Sequence, residues 1–234
     1  MEQMNSRGTL YGVSVGPGEP ELMTLQAVRC LERCRVIAAP RTAEGRMLAL
    51  DIARGAVDLA HKTVVPLDFT MGRDEAARAA AHRAAAAAMQ QHLDRGEDVA
   101  MLNLGDVSIY ASFTSMQKLL QPQGYRCVRL AGVPSFCAAA AALGVSLTDG
   151  MERPLTIAPG RCAEAVLDAP GTKVLMKSGR ELPAAISALE KRGLLDKSAL
   201  VRSCGLPDEE LWPSLAEYDT ARPAGYFATI LVKE

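Results

Sequence analysis

Three short runs in this chain place glycine where another molecule could come close to the backbone: Gly16-Pro17-Gly18, Gly105-Asp106 and Gly132-Val133-Pro134-Ser135. Glycine has no Cβ, so a ligand can reach the N–H and C=O groups beside it. Each run follows a β-rich stretch, where ordinary turns also use Gly and Pro. One such loop is a turn; three of them after strands of one sheet point to a small-molecule site. The chemistry is not that of nucleotide phosphates. There is no GxxxxGK[ST] run, and the first loop lacks the third glycine of GxGxxG. Glu19 and Glu21 follow that loop and would repel a phosphate at a helix N-terminus. A neutral or cationic ligand fits better.

These loops need elements to hold them, and the apolar pattern supplies an alternation of strands and helices. Strand-like runs cover residues 9–15, 35–39, 63–67, 98–104 and 125–130. Helical spacing covers 21–33, with Leu22, Leu25, Val28 and Leu31 as its apolar face, then 46–54, 74–93 and 112–120. Asp74 is the expected N-cap of the long Ala-rich helix, and Gly96 its stop. Strands alternating with helices mean crossovers and a parallel sheet. Residues 1–131 therefore read as one α/β domain with Gly-rich strand-end loops. The pattern restarts in residues 132–234, with helices at 134–143 and 182–192. Strands there fall at 154–158, 172–176, 199–203 and 226–232, the last with no helix after it. This describes a smaller, mixed α/β domain. The fold class is two α/β domains, a parallel-sheet one and a mixed-sheet one, with the active site expected in the cleft between them.

Composition narrows the partners. With 26 Lys plus Arg against 27 Asp plus Glu, the 234-residue chain has a formal charge of −1, which argues against bulk electrostatic binding of nucleic acid. Aromatic residues at 4% leave few platforms for stacking bases. The first eight residues carry no apolar signal region, and the longest apolar stretch, 136–145, is far short of the roughly 18–20 residues that span a bilayer. Six cysteines without a CxxC pair read as free thiols in a reducing cytoplasm. Cys30 and Cys34 can share a helix face, but no metal site is expected. His61, His82 and His92 read as solvated or packing residues.

Four motifs in order, VGPGEPELMTLQAV, NLGDVSIYASF, LAGVPSFCAAAAALGVSLTDG and VLMKSGREL, resemble the signatures of the tetrapyrrole methylases. These are two-domain, S-adenosylmethionine-dependent enzymes of cobalamin and sirohaem synthesis, and the resemblance runs from about Thr9 to the end of the chain. The third motif is most like the members that methylate C20 of a corrin precursor. The GDVSIY form is similar to the branch in which cobalt enters early, so the resemblance implies cobalt-precorrin-2 (cobalt-factor II) as substrate. Metal-free precorrin-2 is the near alternative, and a different ring carbon, a ribosomal RNA or a protein the farther ones.

Carried over residue by residue, the resemblance implies that Pro17 borders S-adenosylmethionine. Leu104, Gly105 and Asp106 take its methionine end, Ile109 covers it, and Pro134 and Ser135 follow the fifth strand. Met176 or Lys177, with Cys204, bracket the adenine. S-Adenosylhomocysteine is the implied product. Tyr110 and Asp106 are the groups near enough to accept a proton; Asp106 is assigned to the cofactor and Tyr110 to the substrate side. A disc with about eight carboxylates calls for a local basic trough, and Arg41, Arg161, Lys177 and Arg180 stand in suitable strand-end positions. The family also implies a homodimer, a state that would bury more of this Ala-rich surface. Two positions depart from the family pattern. The first glycine of GxGPG is Ser14, and the Asp that ends the second strand in uroporphyrinogen-methylating relatives is Pro40, which speaks against the sirohaem-type activity.

Overall fold

A computed structural model describes residues 7–69, 74–220, 222, 225 and 227–233. The chain forms two compact units, Met1–Pro134 and Ser135–Glu234.

The first unit alternates β1 (Leu10–Ser14), α1 (Leu25–Arg33), β2 (Val36–Arg41), α2 (Leu48–Ala56), β3 (Thr63–Asp68), α3 (Glu75–Leu93), β4 (Val99–Asn103), α4 (Phe113–Leu120) and β5 (Cys127–Leu130). All its strand pairings are parallel, in the order β3-β2-β4-β1-β5. The central strands are buried on both faces, as a parallel sheet covered by helices requires. Residues of α1 and α2 pack with Val13, Ile37, Ala100 and Leu102 on one face. Residues of α3 and α4 pack with Leu10, Val36, Val99 and Met101 on the other. The chain therefore leaves β1 toward one edge of the sheet and leaves the adjacent β4 toward the opposite edge. Between such diverging connections, beyond the carboxyl ends of the strands, a crevice opens.

One helix start differs from the sequence expectation. Helix α1 begins at Leu25, because Pro20–Leu22 forms a 3₁₀ turn and Thr24 caps the helix by accepting the Ala27 N–H at 3.2 Å. That start sets the buried face to Ala27, Cys30 and Leu31 and leaves Leu25 71% exposed. The Ala-rich α3 begins where expected, with Asp74 accepting the N–H groups of Ala76 and Ala77. Only its second half is buried, through Ala85, Ala86, Met89 and Leu93.

The second unit contains α5 (Ser135–Ala142), β6 (Leu155–Pro159), α6 (Ala163–Val166), β7 (Thr172–Met176), α7 (Leu182–Glu190), β8 (Ser198–Arg202), β9 (Glu210–Trp212) and β10 (Ala228–Val232). Its sheet runs β6-β7-β10-β8-β9. β6 and β7 are parallel, and every other pairing is antiparallel. The three-residue β9 is too short to leave a periodic signal. Tyr226, placed in the last strand by the sequence pattern, lies outside the described residues. No helix among the described residues is long and apolar enough to cross a membrane.

Candidate active site

The three glycine loops of the first unit meet at the carboxyl edge of β1, β4 and β5. Gly16 and Gly105 form an antiparallel bridge in which the Gly105 N–H donates to the Gly16 carbonyl at 2.8 Å. Both residues have left-handed φ, +75° and +67°, a conformation that favours glycine. Gly132 is required for another reason. A Cβ there would lie 2.3 Å from the Ser14 Cβ and 2.9 Å from the Gly105 carbonyl oxygen. The loops after β4 and β5 thus touch backbone to backbone, and only glycine fits.

Side chains then tie the loops together. Asp106 is buried, and its Oδ2 accepts the Gly132 N–H at 2.8 Å. Its Oδ1 accepts the Ser108 N–H at 2.7 Å and the Ser108 hydroxyl. Burial pushes the Asp106 carboxyl up, but the Ser108 hydroxyl, the two backbone N–H groups and the Arg129 charge outweigh it and hold the group below the usual carboxylate value. Asp106 is therefore an ionised organiser of the loop, and both of its oxygens already accept hydrogen bonds. Ser14, fully buried, donates its hydroxyl to the Leu130 carbonyl at 2.6 Å and accepts the Val107 N–H at 2.9 Å. Arg129 donates to the Val107 carbonyl at 2.9 Å and stacks over the Phe113 ring. Sequence reasoning missed Ser14, Ser108 and Arg129 as site residues. The one signal was a Ser where the resembling motif has Gly.

Of the expected residues in this unit, Leu104, Gly105, Asp106 and Ile109 follow β4 directly, and Pro17 is half-buried beside Gly16. Pro134 ends the first unit, and Ser135 opens α5. Tyr110 is 45% exposed and holds φ of +49°, a left-handed conformation that costs a residue with a Cβ about 1 kcal/mol or more. Arg41, at the end of β2, grips Asp68 at the end of β3 through two bonds of 2.8 and 2.7 Å.

The second unit builds its strand ends differently. Lys177 follows β7 with φ of +53°, and Ser203 follows β8 with φ of +47°. Their neighbour β10 receives both kinks: the Ser178 N–H donates to the Ala228 carbonyl, and the Ser203 N–H to the Phe227 carbonyl. Lys177, Ser203 and Cys204 therefore share one edge of the sheet, joined by Arg161 beyond the parallel β6. Gly160 packs on Ser178, since a Cβ there would lie 2.6 Å from the Ser178 hydroxyl. Desolvation by the surrounding protein pushes the Lys177 ammonium below its usual value, and the Arg161 charge adds to the effect. Met176 is buried at the end of β7, while Arg180 is exposed. Burial and the Glu209 carboxylate push the Cys204 thiol up to about 12, so it stays protonated.

The sequence model for Tetrapyrrole (Corrin/Porphyrin) Methylases matches residues 9–218, nearly the whole chain. The chain belongs to the tetrapyrrole methylases. It is accordingly a C-methyltransferase that uses S-adenosylmethionine. Among relatives, it is 32% identical to a cobalt-precorrin-2 C(20)-methyltransferase of Salmonella typhimurium, over 97% of each chain. It is 28% identical to a precorrin-2 C(20)-methyltransferase of a Sinorhizobium species, covering 96% of this chain and 95% of that one. Its fold is similar to that of a cobalt precorrin-4 methyltransferase, with a TM-score of 0.73 at 20% identity, covering 96% and 94% of the two chains. It is also similar to a Thermus thermophilus uroporphyrin-III C-methyltransferase solved with S-adenosylhomocysteine, with a TM-score of 0.71 at 20% identity over 97% and 98%.

The first unit's strand ends suit the cofactor of a tetrapyrrole methylase. A sulfonium is a cation, and this edge carries an ionised carboxylate and glycines without side chains; the Arg129 guanidinium is turned onto the Val107 carbonyl, Gln117 and Thr114, and that of Arg41 onto Asp68.

Proposed function

We propose that this protein transfers the methyl group of S-adenosylmethionine to C20 of cobalt-precorrin-2 (cobalt-factor II) in cobalamin biosynthesis. The observation that carries the reading is the 32% identity to the Salmonella typhimurium enzyme over 97% of both chains. The 28% identity to the Sinorhizobium precorrin-2 enzyme supports metal-free precorrin-2 as the alternative substrate.

S-Adenosylmethionine supplies an electrophilic methyl group, and the nucleophile is a carbon of the ring's own π system. What remains for the chain is placement at near-attack distance, about 3–3.5 Å, worth several kcal/mol when well oriented. In this reading Pro17, Leu104, Gly105, Asp106 and Ile109 hold the methionine end. Pro134 and Ser135 continue that surface, and Met176, Lys177 and Cys204 receive the adenine. Asp106 does not take the proton lost from the ring, because its carboxylate is stabilised in the ionised form and engaged by Gly132 and Ser108. Tyr110 stands on the substrate side. The acidic substrate meets cations at strand ends: Arg161, Lys177 and Arg180 in the second unit, and, more weakly, Arg41, whose guanidinium Asp68 already engages.

The proposed form is a cytoplasmic homodimer whose partner is the tetrapyrrole, with no nucleic acid and no membrane involved. Six free cysteines suit a reducing compartment. The partly exposed Ala-rich α3 leaves small-residue surface that a second copy can cover. Light scattering at micromolar concentration is expected to give twice the chain mass. The deciding experiment is turnover of both cobalt-factor II and precorrin-2, with the new methyl located by NMR. A methyl on any carbon but C20 overturns the specificity.

A further inference from the structure

We propose that the Ser14 hydroxyl is the latch that holds the loop after β4 in its cofactor-ready form, making Ser14 a positioning residue for S-adenosylmethionine binding. The inference rests on the functional reading above. Ser14 is the last residue of β1 and has no exposed surface. Its one hydroxyl joins three strand ends: it donates to the Leu130 carbonyl at the end of β5 and accepts the Val107 N–H from the loop after β4. Val107 is 1% exposed, so without Ser14 its N–H loses its partner away from water, at a cost comparable to a lost hydrogen bond.

The opposite side of the same peptide is held as well, because Arg129 donates to the Val107 carbonyl. Asp106, next in sequence, fastens the loop to Gly132. The Ser14 Cβ also occupies the space beside Gly132, where a Cβ would come within 2.3 Å of it. Position 14 therefore sets both the height of the β4 loop and how closely the β5 loop approaches it. A loop freed of the latch must be reordered each time the cofactor binds, so affinity falls while chemistry in the filled complex is retained.

The test compares Ser14→Ala with Ser14→Thr, which keeps the hydroxyl. Ser14→Ala is expected to raise KM for S-adenosylmethionine and Kd for S-adenosylhomocysteine about tenfold, the equivalent of one lost buried hydrogen bond. Its kcat and its KM for the tetrapyrrole should stay within twofold of the parent. Amide exchange at Val107 should accelerate at least tenfold while the rest of β1 stays protected. Ser14→Thr is expected to recover most of the affinity. If Ser14→Ala does not fold, Arg129→Met, which removes the grip on the Val107 carbonyl, should give the same split. Unchanged cofactor affinity in Ser14→Ala overturns the proposal, as does a loss of kcat in step with a general fall in thermal stability. Failure of the parent protein to bind S-adenosylhomocysteine would instead overturn the functional reading, while Val107 exchange would still report on the latch.

Discussion

The two units end their strands with different chemistry. In the first, the loops after β1, β4 and β5 are knit by Ser14, Asp106 and Arg129 around glycines, and the buried charge at the centre is a carboxylate. In the second, the loops after β7 and β8 turn through Lys177 and Ser203 with left-handed φ, and the charges at the edge are mixed: Lys177 and Arg161 stand with Asp208, which accepts the Ser203 hydroxyl, and Glu209, which accepts the Gly205 N–H. The first edge centres on a buried carboxylate, with Arg41 already paired to Asp68; the second carries two cations, Lys177 and Arg161, beside the carboxylates of Asp208 and Glu209. The difference also shows where rigidity is located. A glycine adopts left-handed φ without steric cost, so the first edge needs side-chain latches to choose one geometry. The turns at Lys177 and Ser203 are instead fastened by backbone bonds, Ser178 N–H to the Ala228 carbonyl and Ser203 N–H to the Phe227 carbonyl.

The contrast breaks most readily at Asp106. Asp106→Ala removes the acceptor of the Gly132 N–H and both Ser108 bonds. It should lower kcat/KM for S-adenosylmethionine on the order of 10²-fold or more, as loss of two or three charge-assisted bonds implies. Cofactor titration in steady-state assays reads this directly. The same residue carries an acid limit. Its carboxyl sits below the usual carboxylate value in the folded protein, so its stabilisation is complete above about pH 4, the unfolded value, and is lost as pH falls through the lowered folded value. Acid unfolding followed by circular dichroism should show that dependence in the parent and lose that component in Asp106→Asn.

Gly132→Ala tests the close approach of the loops. Overpacking against Ser14 and the Gly105 carbonyl should cost about 1–3 kcal/mol, a fall in Tm of several degrees. Ser14→Gly in the same chain should relieve part of it, and calorimetry of the double variant sharpens the assignment. On the other edge, Lys177→Met should raise KM for the tetrapyrrole about tenfold and weaken its salt dependence, with a smaller effect on thermal stability. If Lys177→Met leaves tetrapyrrole KM and its salt dependence unchanged, the second edge is not the anion-facing one. The smallest effect belongs to Arg41→Gln, about twofold in tetrapyrrole KM, because Asp68 already holds that guanidinium and exposed pairs contribute little.

The strand–helix alternation was legible because a parallel sheet covered on both faces leaves uninterrupted apolar runs between helical spacings. Thus the five strands of the first unit and the long α3 lie within a few residues of their sequence positions. The start of α1 was not legible, because the spacing of Leu22 and Leu25 continues a helical pattern that a 3₁₀ turn and the Thr24 cap interrupt. β9 was missed because three residues carry no period. Arg41 looked available for a substrate because its partner Asp68 is 27 residues away and becomes its neighbour only through the β2–β3 pairing.

The residues alone determined that this chain alternates strands and helices, that glycine loops end three of its strands, and that those loops lack the nucleotide-phosphate motifs. Its four motifs pointed to the family that the match over residues 9–218 establishes. Tertiary structure decided which of those loops touch and what each polar group does there. Ser14 meets Val107 and Leu130 across 93 and 116 residues, and Asp106 meets Gly132 across 26. No local pattern encodes such distances. Strand order brings β1, β4 and β5 side by side, and only then does a lone hydroxyl in the first loop become the partner of a buried amide in the second.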